Sequence, residues 1–231
     1  MKHPAHIGIV GVSAEGAALC YRTICAEAPS FLGPHQHPEL SMHTLPLARY
    51  MQALESGDWP AVASLLRVSA SILEGAGAQI LICPDNTVHE AIDICRPDST
   101  LPWLHIAEVV AEEAIVRGYA RLGILGTSWL MDSLVYPRQC SALGIQTLIP
   151  TVEERLKINR IIFEELVNMR FEASSREYLS GVIESLAASG CDAVVLGCTE
   201  IPLLIEPPDS CLPVLDSTRL LARAALHLAL A

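Results

Sequence analysis

The chain has 231 residues, 51% hydrophobic and 18% charged, with a formal net charge of −11 and a pI near 5.1. That length fits one large domain or two small ones, and the composition supplies a substantial core and argues against disorder. The acidic balance argues against nucleic acid or an anionic membrane as the main partner.

The opening MKHPAHIGIVGVS is too short and too weakly apolar before Gly11 to read as a secretory signal, and no uncharged apolar stretch is long enough for a membrane span. HIGIVGVS (6–13) reads as a buried strand ending in small residues. FLGPHQHPEL (31–40) is a Pro-rich loop whose His35 and His37 lack an apparent third metal ligand, so no metal site is expected. WPAVASLLRVSASILEGAG (59–77) carries Leu65, Leu66, Val68, Ile72 and Leu73 at helical spacing, with Gly75 or Gly77 to end it. AQILIC (78–83), ARLGILGTS (120–128) and DAVVLGC (192–198) are further apolar strands. ERLKINRIIFEELV (154–167), EYLSGVIESLAASG (177–190) and STRLLARAALHLALA (217–231) read as helices. Continuous apolar strands alternating with helices imply an α/β fold with parallel sheets covered on both faces.

Three segments repeat in the same order. GIVGVS from Gly8 returns as GILGTS from Gly123. ILICPDNTVH (80–89) returns as VVLGCTEI (194–201), which pairs Asp85 with Cys198. LPWLH from Leu101 returns as LPVLD from Leu212. The repeat predicts two pseudo-symmetric α/β lobes, residues 1–100 and 101–214, with 215–231 packing back on the first. Ligands of open parallel sheets bind at the carboxyl ends of strands. Ser13, Asp85, Thr127 and Cys198 fall at such ends, and facing halves would place them along one cleft.

One reactive group per half suits chemistry on both faces of one carbon: a proton is removed from one side and delivered from the other. Donors are then needed for an enolate-like transition state, and Asn86, Thr87 and Thr199 are suited to that. No complete dinucleotide fingerprint or phosphate loop is present, so no cofactor is implied. Of the eight cysteines (Cys20, Cys25, Cys83, Cys95, Cys140, Cys191, Cys198 and Cys211) none form a C-x-x-C pair, which fits a reducing cytoplasmic setting. Cys198 stands out, because it follows a strand, starts a helix and is flanked by Gly197 and Thr199. A helix N-terminus there would favour its thiolate. His89 and His105 read as core histidines, and Glu200 as electrostatic support for the helix start.

GCTEIPLL (197–204) resembles the second cysteine motif of the aspartate/glutamate racemase superfamily, and ICPDNTVH (82–89) resembles its first, which usually reads Pro-Cys-Asn-Thr-x-His. IGIVGVSAEGAALCYR (7–22), GILGTSWLM (123–131) and ERLKINRIIFEEL (154–166) are similar to further family segments. The resemblance implies a cofactor-independent amino-acid racemase, a homodimer working through two thiols. It implies substrate contacts for Asn86, Thr87, Thr127 and Thr199, with Ser13 at a strand end beside them. Arg49 and Lys157 resemble cations that hold an acidic side chain.

The sequence departs from that pattern at the first thiol. Alignment on Asn86 and Thr87 puts Asp85 at the catalytic position, while Cys83 lies two residues earlier, about 6.6 Å away along a strand. Asp85 is therefore expected as one acid/base group and Cys198 as the other. Asp85 is also a good residue for capping the helix that follows. A single remaining thiol keeps open a carbanion-forming decarboxylase or isomerase on the same scaffold. Loss of one cysteine also keeps open a catalytically silent amino-acid-binding homologue.

Overall fold

A computed structural model describes residues 3–231, which form two four-stranded, wholly parallel sheets. The first contains β1 (Ile7–Gly11), β2 (Leu40–Thr44), β3 (Ile80–Ile82) and β4 (Trp103–Leu104) in the order β2-β1-β3-β4. The second contains β5 (Arg121–Leu125), β6 (Gln146–Leu148), β7 (Ala193–Leu196) and β8 (Val214–Asp216) in the order β6-β5-β7-β8. The two orders are the same when the strands of the second half are matched in sequence to those of the first, as the internal repeat requires.

The central strands explain their own sequences. Every residue of β1, β3 and β7 is buried, as are four of the five in β5. Helices cover both faces of a parallel sheet, so such strands become continuous apolar runs. The edge strands differ. Only intermediate and exposed residues occur in β2 (LSMHT) and β6 (QTL), so neither carries the apolar signal of its neighbours.

Two compact units result: residues up to Val109 together with Thr218–Ala231, and Val110–Ser217. This differs from a division at 100/101 and at 214/215. The strand at Trp103–Leu104 completes the first sheet by pairing with β3, and Val214–Asp216 completes the second by pairing with β7. The backbone hydrogen bonds of these strands hold each in the unit that precedes it in the chain.

In the first unit Ile7, Ile9, Ile80 and Ile82 share a core with Ala17, Cys20 and Ile24 of the helix Ala14–Glu27. Leu221, Ala222, Ala225 and Leu226 of the terminal helix Ser217–Leu230 join the same core. A two-point Arg223–Glu27 ion pair links these helices at the surface. In the second unit Leu125, Val194 and Leu196 pack against Val182, Ile183 and Leu186 of the helix Ala173–Ala188. The expected helix over 154–167 is composite. Its α-helical part is Val152–Arg160, opened by a Thr151–Glu154 capping box; a π-helical turn, Ile161–Glu165, and a 3₁₀ turn, Leu166–Asn168, follow. Among the described residues no helix is long and apolar enough to cross a membrane.

Candidate active site

Each sheet reverses its direction of winding between its two central strands. The chain passes from β1 outward to β2 and returns on the other side as β3; it treats β5, β6 and β7 in the same way. The carboxyl ends at such a switch point are where open α/β sheets bind ligands. Apart from the two cations, the predicted site residues fall in two sets, one after the central strands of each sheet.

In the first set, Ser13 follows β1 and caps the helix Ala14–Glu27 by accepting from the Gly16 N–H at 3.2 Å. Asp85 follows β3 and is half-buried, while Asn86 and Thr87 are buried. Asp85 Oδ1 accepts the Thr87 N–H at 3.1 Å, a local turn closed by the side chain. The next helix starts only at His89, with Val88 at its cap position. Asp85 is thus not the cap of that helix, contrary to the capping alternative raised by the sequence.

Cys83 is fully buried at the end of β3. Burial pushes its thiol well above the ordinary value, and the nearby Asp85 carboxylate adds to this. The Cys83 carbonyl is fixed by the buried ring of His89, whose Nε2 lies 3.0 Å from Cys83 O. Beside it the ring of His105 packs edge-on, with centroids 4.4 Å apart.

The second set mirrors the first. Thr127 follows β5 and caps the short helix Ser128–Met131 through the Leu130 N–H at 3.2 Å. Cys198, Thr199 and Glu200 follow β7, and all three are buried. The loops carrying Thr127 and Cys198 run close together because glycines precede both. A Cβ on Gly197 would come within 2.9 Å of the Leu125 carbonyl oxygen, and one on Gly126 within 3.0 Å of the Gly197 carbonyl.

The contact missed from the sequence is made by Glu200. Its side chain does not support the short helix Ile201–Leu204, which has no side-chain cap. It turns back, so that Oε2 lies 3.0 Å from Cys198 Sγ and 2.6 Å from Thr199 Oγ1. The expected helix dipole is correspondingly modest, since only four residues follow in helical form. The one available signal was that Glu200 is the sole charge between Asp192 and Glu206 in an otherwise apolar stretch.

The two predicted cations stand on helices. Arg49 is exposed and lines a groove of about 400 Å³ with Gln52, Asp58 and Ser64. Lys157 Nζ sits 3.6 Å from the centroid of the Tyr178 ring, a cation–π contact. Among the described residues, no group of three or more His, Cys, Asp or Glu side chains is arranged to hold a metal ion.

Two parallel sheets of the same topology, each with polar and ionisable residues after its central strands, make a repeated α/β protein with its candidate site residues at the strand ends. A family model described as Asp/Glu/hydantoin racemase matches residues 8–225, and the chain belongs to that family. A Yersinia pestis structure described provisionally as an Asp/Glu racemase is 33% identical, with 98% of this chain and 100% of that one covered and a TM-score of 0.90. An aspartate racemase homologue from Pyrococcus horikoshii OT3 is 29% identical over the whole of both chains, with a TM-score of 0.84. The glutamate racemase of Thermus thermophilus is 29% identical over 161 residues, covering 67% of this chain and 56% of the relative. The matched segments span about half the length of the curated relatives, 48% for the glutamate racemase of Pseudomonas putida.

Proposed function

We propose that the chain racemises or epimerises a small amino acid, aspartate, glutamate or a related one, by cofactor-independent proton transfer at Cα. The observation that carries this reading is the equivalence of Asp85 and Cys198: Ile82 pairs with Ile9 and Val195 with Ile124, and each site residue lies three positions beyond its matched strand residue. Family membership and the relatives' activities support it. Asp85 takes the Cα proton as a carboxylate, and Cys198 delivers its thiol proton to the other face of the planar carbanion. The reverse reaction runs through the same groups with their proton states exchanged.

Asn86, Thr87 and Thr127 serve as side-chain donors to the substrate carboxylate, which gains charge in the transition state, and Thr199 donates through its backbone N–H, its hydroxyl being given to Glu200. Ser13 contributes beside them. Arg49 and Lys157 hold an acidic side chain. A carboxylate and a thiol differ in proton affinity, so kcat and KM differ for the two enantiomers, although the equilibrium constant between them is one. The homodimer implied by the family resemblance belongs to the same reading, and sedimentation equilibrium tests it.

The experiment is Cα–H exchange in D₂O for wild type, Asp85→Asn and Cys83→Ser. Retention in Cys83→Ser with loss in Asp85→Asn is expected, and the opposite pattern overturns the role of Asp85. A second reading, decarboxylation through one thiol, draws on the burial of Cys83, which leaves Cys198 as the thiol at the candidate site. Release of CO₂ from a malonate-type acid without exchange at any amino acid selects it.

A further inference from the structure

We infer that Glu200 holds Cys198 in its thiol form between turnovers, which makes Cys198 the resting acid and leaves first proton removal to the reaction's other acid/base group. The inference rests on the racemase reading for its catalytic meaning, but its physical basis lies wholly within the second sheet. Glu200 is 4% exposed and Cys198 7%. One carboxylate oxygen, Oε2, faces both the Cys198 sulfur at 3.0 Å and the Thr199 hydroxyl at 2.6 Å.

A sulfur and a carboxylate oxygen at that distance share a proton, which rests either on sulfur or on oxygen. Proton affinity places it on sulfur. Reference thiols bind a proton about four pH units more tightly than reference carboxyls. The Thr199 hydroxyl donates to the same oxygen, so Oε2 already serves as an acceptor on one side. Oε2 is therefore a carboxylate oxygen accepting two hydrogens, one from Thr199 Oγ1 and one from Cys198 Sγ.

The consequence for chemistry is directional. When the Cys198 S–H bond breaks and its proton passes to the substrate carbanion, the electron pair stays on sulfur. The new thiolate then lies beside a buried carboxylate, and the like charges repel in a poorly solvated site. The sulfur recaptures a proton readily, so free enzyme returns to the acid form. The same repulsion makes the thiolate a strong base in the reverse direction. Glu200 acts through Cys198, as a residue that sets its protonation.

The test needs no substrate. Wild type and Glu200→Gln are treated with iodoacetamide from pH 6 to 10, and alkylation of the Cys198 peptide is followed by mass spectrometry. Exposed Cys211 in the same digest serves as the reference. The wild-type midpoint for Cys198 is expected above that of Cys211. In Glu200→Gln, where the amide keeps an acceptor for Thr199 without the charge, Cys198 is expected to alkylate at least tenfold faster at pH 7.

Unchanged alkylation in Glu200→Gln overturns the inference, and slower alkylation does too, because it makes Glu200 a base that activates the thiol. If the variant fails to fold, a wild-type midpoint at or below that of Cys211 overturns it independently. Cα–H exchange on the same samples separates the two levels. Exchange in wild type with the wrong alkylation pattern removes the role of Glu200 and leaves the racemase reading. Absence of exchange with the expected pattern does the reverse.

Discussion

Lowering the pH below about 6.5 is expected to destabilise the first unit through the buried pair His89 and His105. His89 Nε2 faces the Cys83 carbonyl at 3.0 Å, and Nδ1 faces the Ile106 N–H at 3.4 Å. A carbonyl only accepts and an amide N–H only donates, so this ring is neutral with its proton on Nε2. A second proton on Nδ1 would point at the Ile106 N–H. Burial holds His89 well below the usual imidazole value, and the neighbouring His105 adds to this.

Burial also lowers His105, against the opposing pull of Asp93 and Glu108. The Asp93 Oδ1 atom is 3.8 Å from its Nε2, beyond hydrogen-bond range. Both groups bind a proton less tightly folded than unfolded. Their contribution to stability is therefore complete above the unfolded value near 6.5 and is lost as pH falls below it. One unmatched proton corresponds to about 1.4 kcal/mol per pH unit, so the pair removes up to about 2.7 kcal/mol per unit. That is a large share of the roughly 5–15 kcal/mol of an ordinary domain.

The assay is urea unfolding at pH 7.5, 6.5 and 5.5, followed by the fluorescence of buried Trp103, for wild type and His89→Gln. The glutamine amide can donate to Cys83 O and accept from Ile106 N–H without titrating. It is expected to be near wild type at pH 7.5 and to lose about half as much stability per unit below 6.5. Identical pH dependence in the two proteins would exclude His89 as a source of the acid sensitivity.

Three further outcomes are expected. Gly197→Ala places a methyl 2.5 Å from Leu130 Cδ2 and 2.9 Å from Leu125 O; overpacking costs about 1–3 kcal/mol. At roughly 2–4 °C per kcal/mol for a chain of this size, thermal melts should fall by about 2–12 °C, and the exchange rate should fall with them as Cys198 is displaced. Arg223→Ala removes the exposed pair with Glu27 and should cost less than about 1 kcal/mol in the same melts, since water screens both groups. Lys157→Met should raise KM for an acidic amino acid by about tenfold or more, the scale of one charge-assisted contact, and leave an uncharged one unchanged. Equal KM changes for both would remove Lys157 from side-chain recognition.

The sequence made the central strands legible because burial on both faces turns them into unbroken apolar runs, as in Ile7–Gly11 and Ala193–Leu196. The edge strands Leu40–Thr44 and Gln146–Leu148 escaped notice because each is partly solvated and lacks an unbroken apolar run, so tertiary pairing decides them more than pattern does. The Asp85–Cys198 equivalence was readable from the repeat. The contact of Glu200 with Cys198 was not, because it depends on a side chain turning back across two residues instead of along the helix ahead of it. The π-helical turn at Ile161–Glu165 was equally hidden, since a change in hydrogen-bond spacing leaves the apolar pattern of a helix largely intact.

Proton NMR of Cα–H exchange in D₂O reads proton transfer at Cα itself, with L- and D-aspartate and glutamate first in a wider amino-acid panel. Wild type is expected to exchange Cα–H and to form the opposite enantiomer, and Cys198→Ala to do neither at a comparable rate. No exchange with any amino acid, or exchange undiminished in Cys198→Ala, would contradict proton transfer through this thiol.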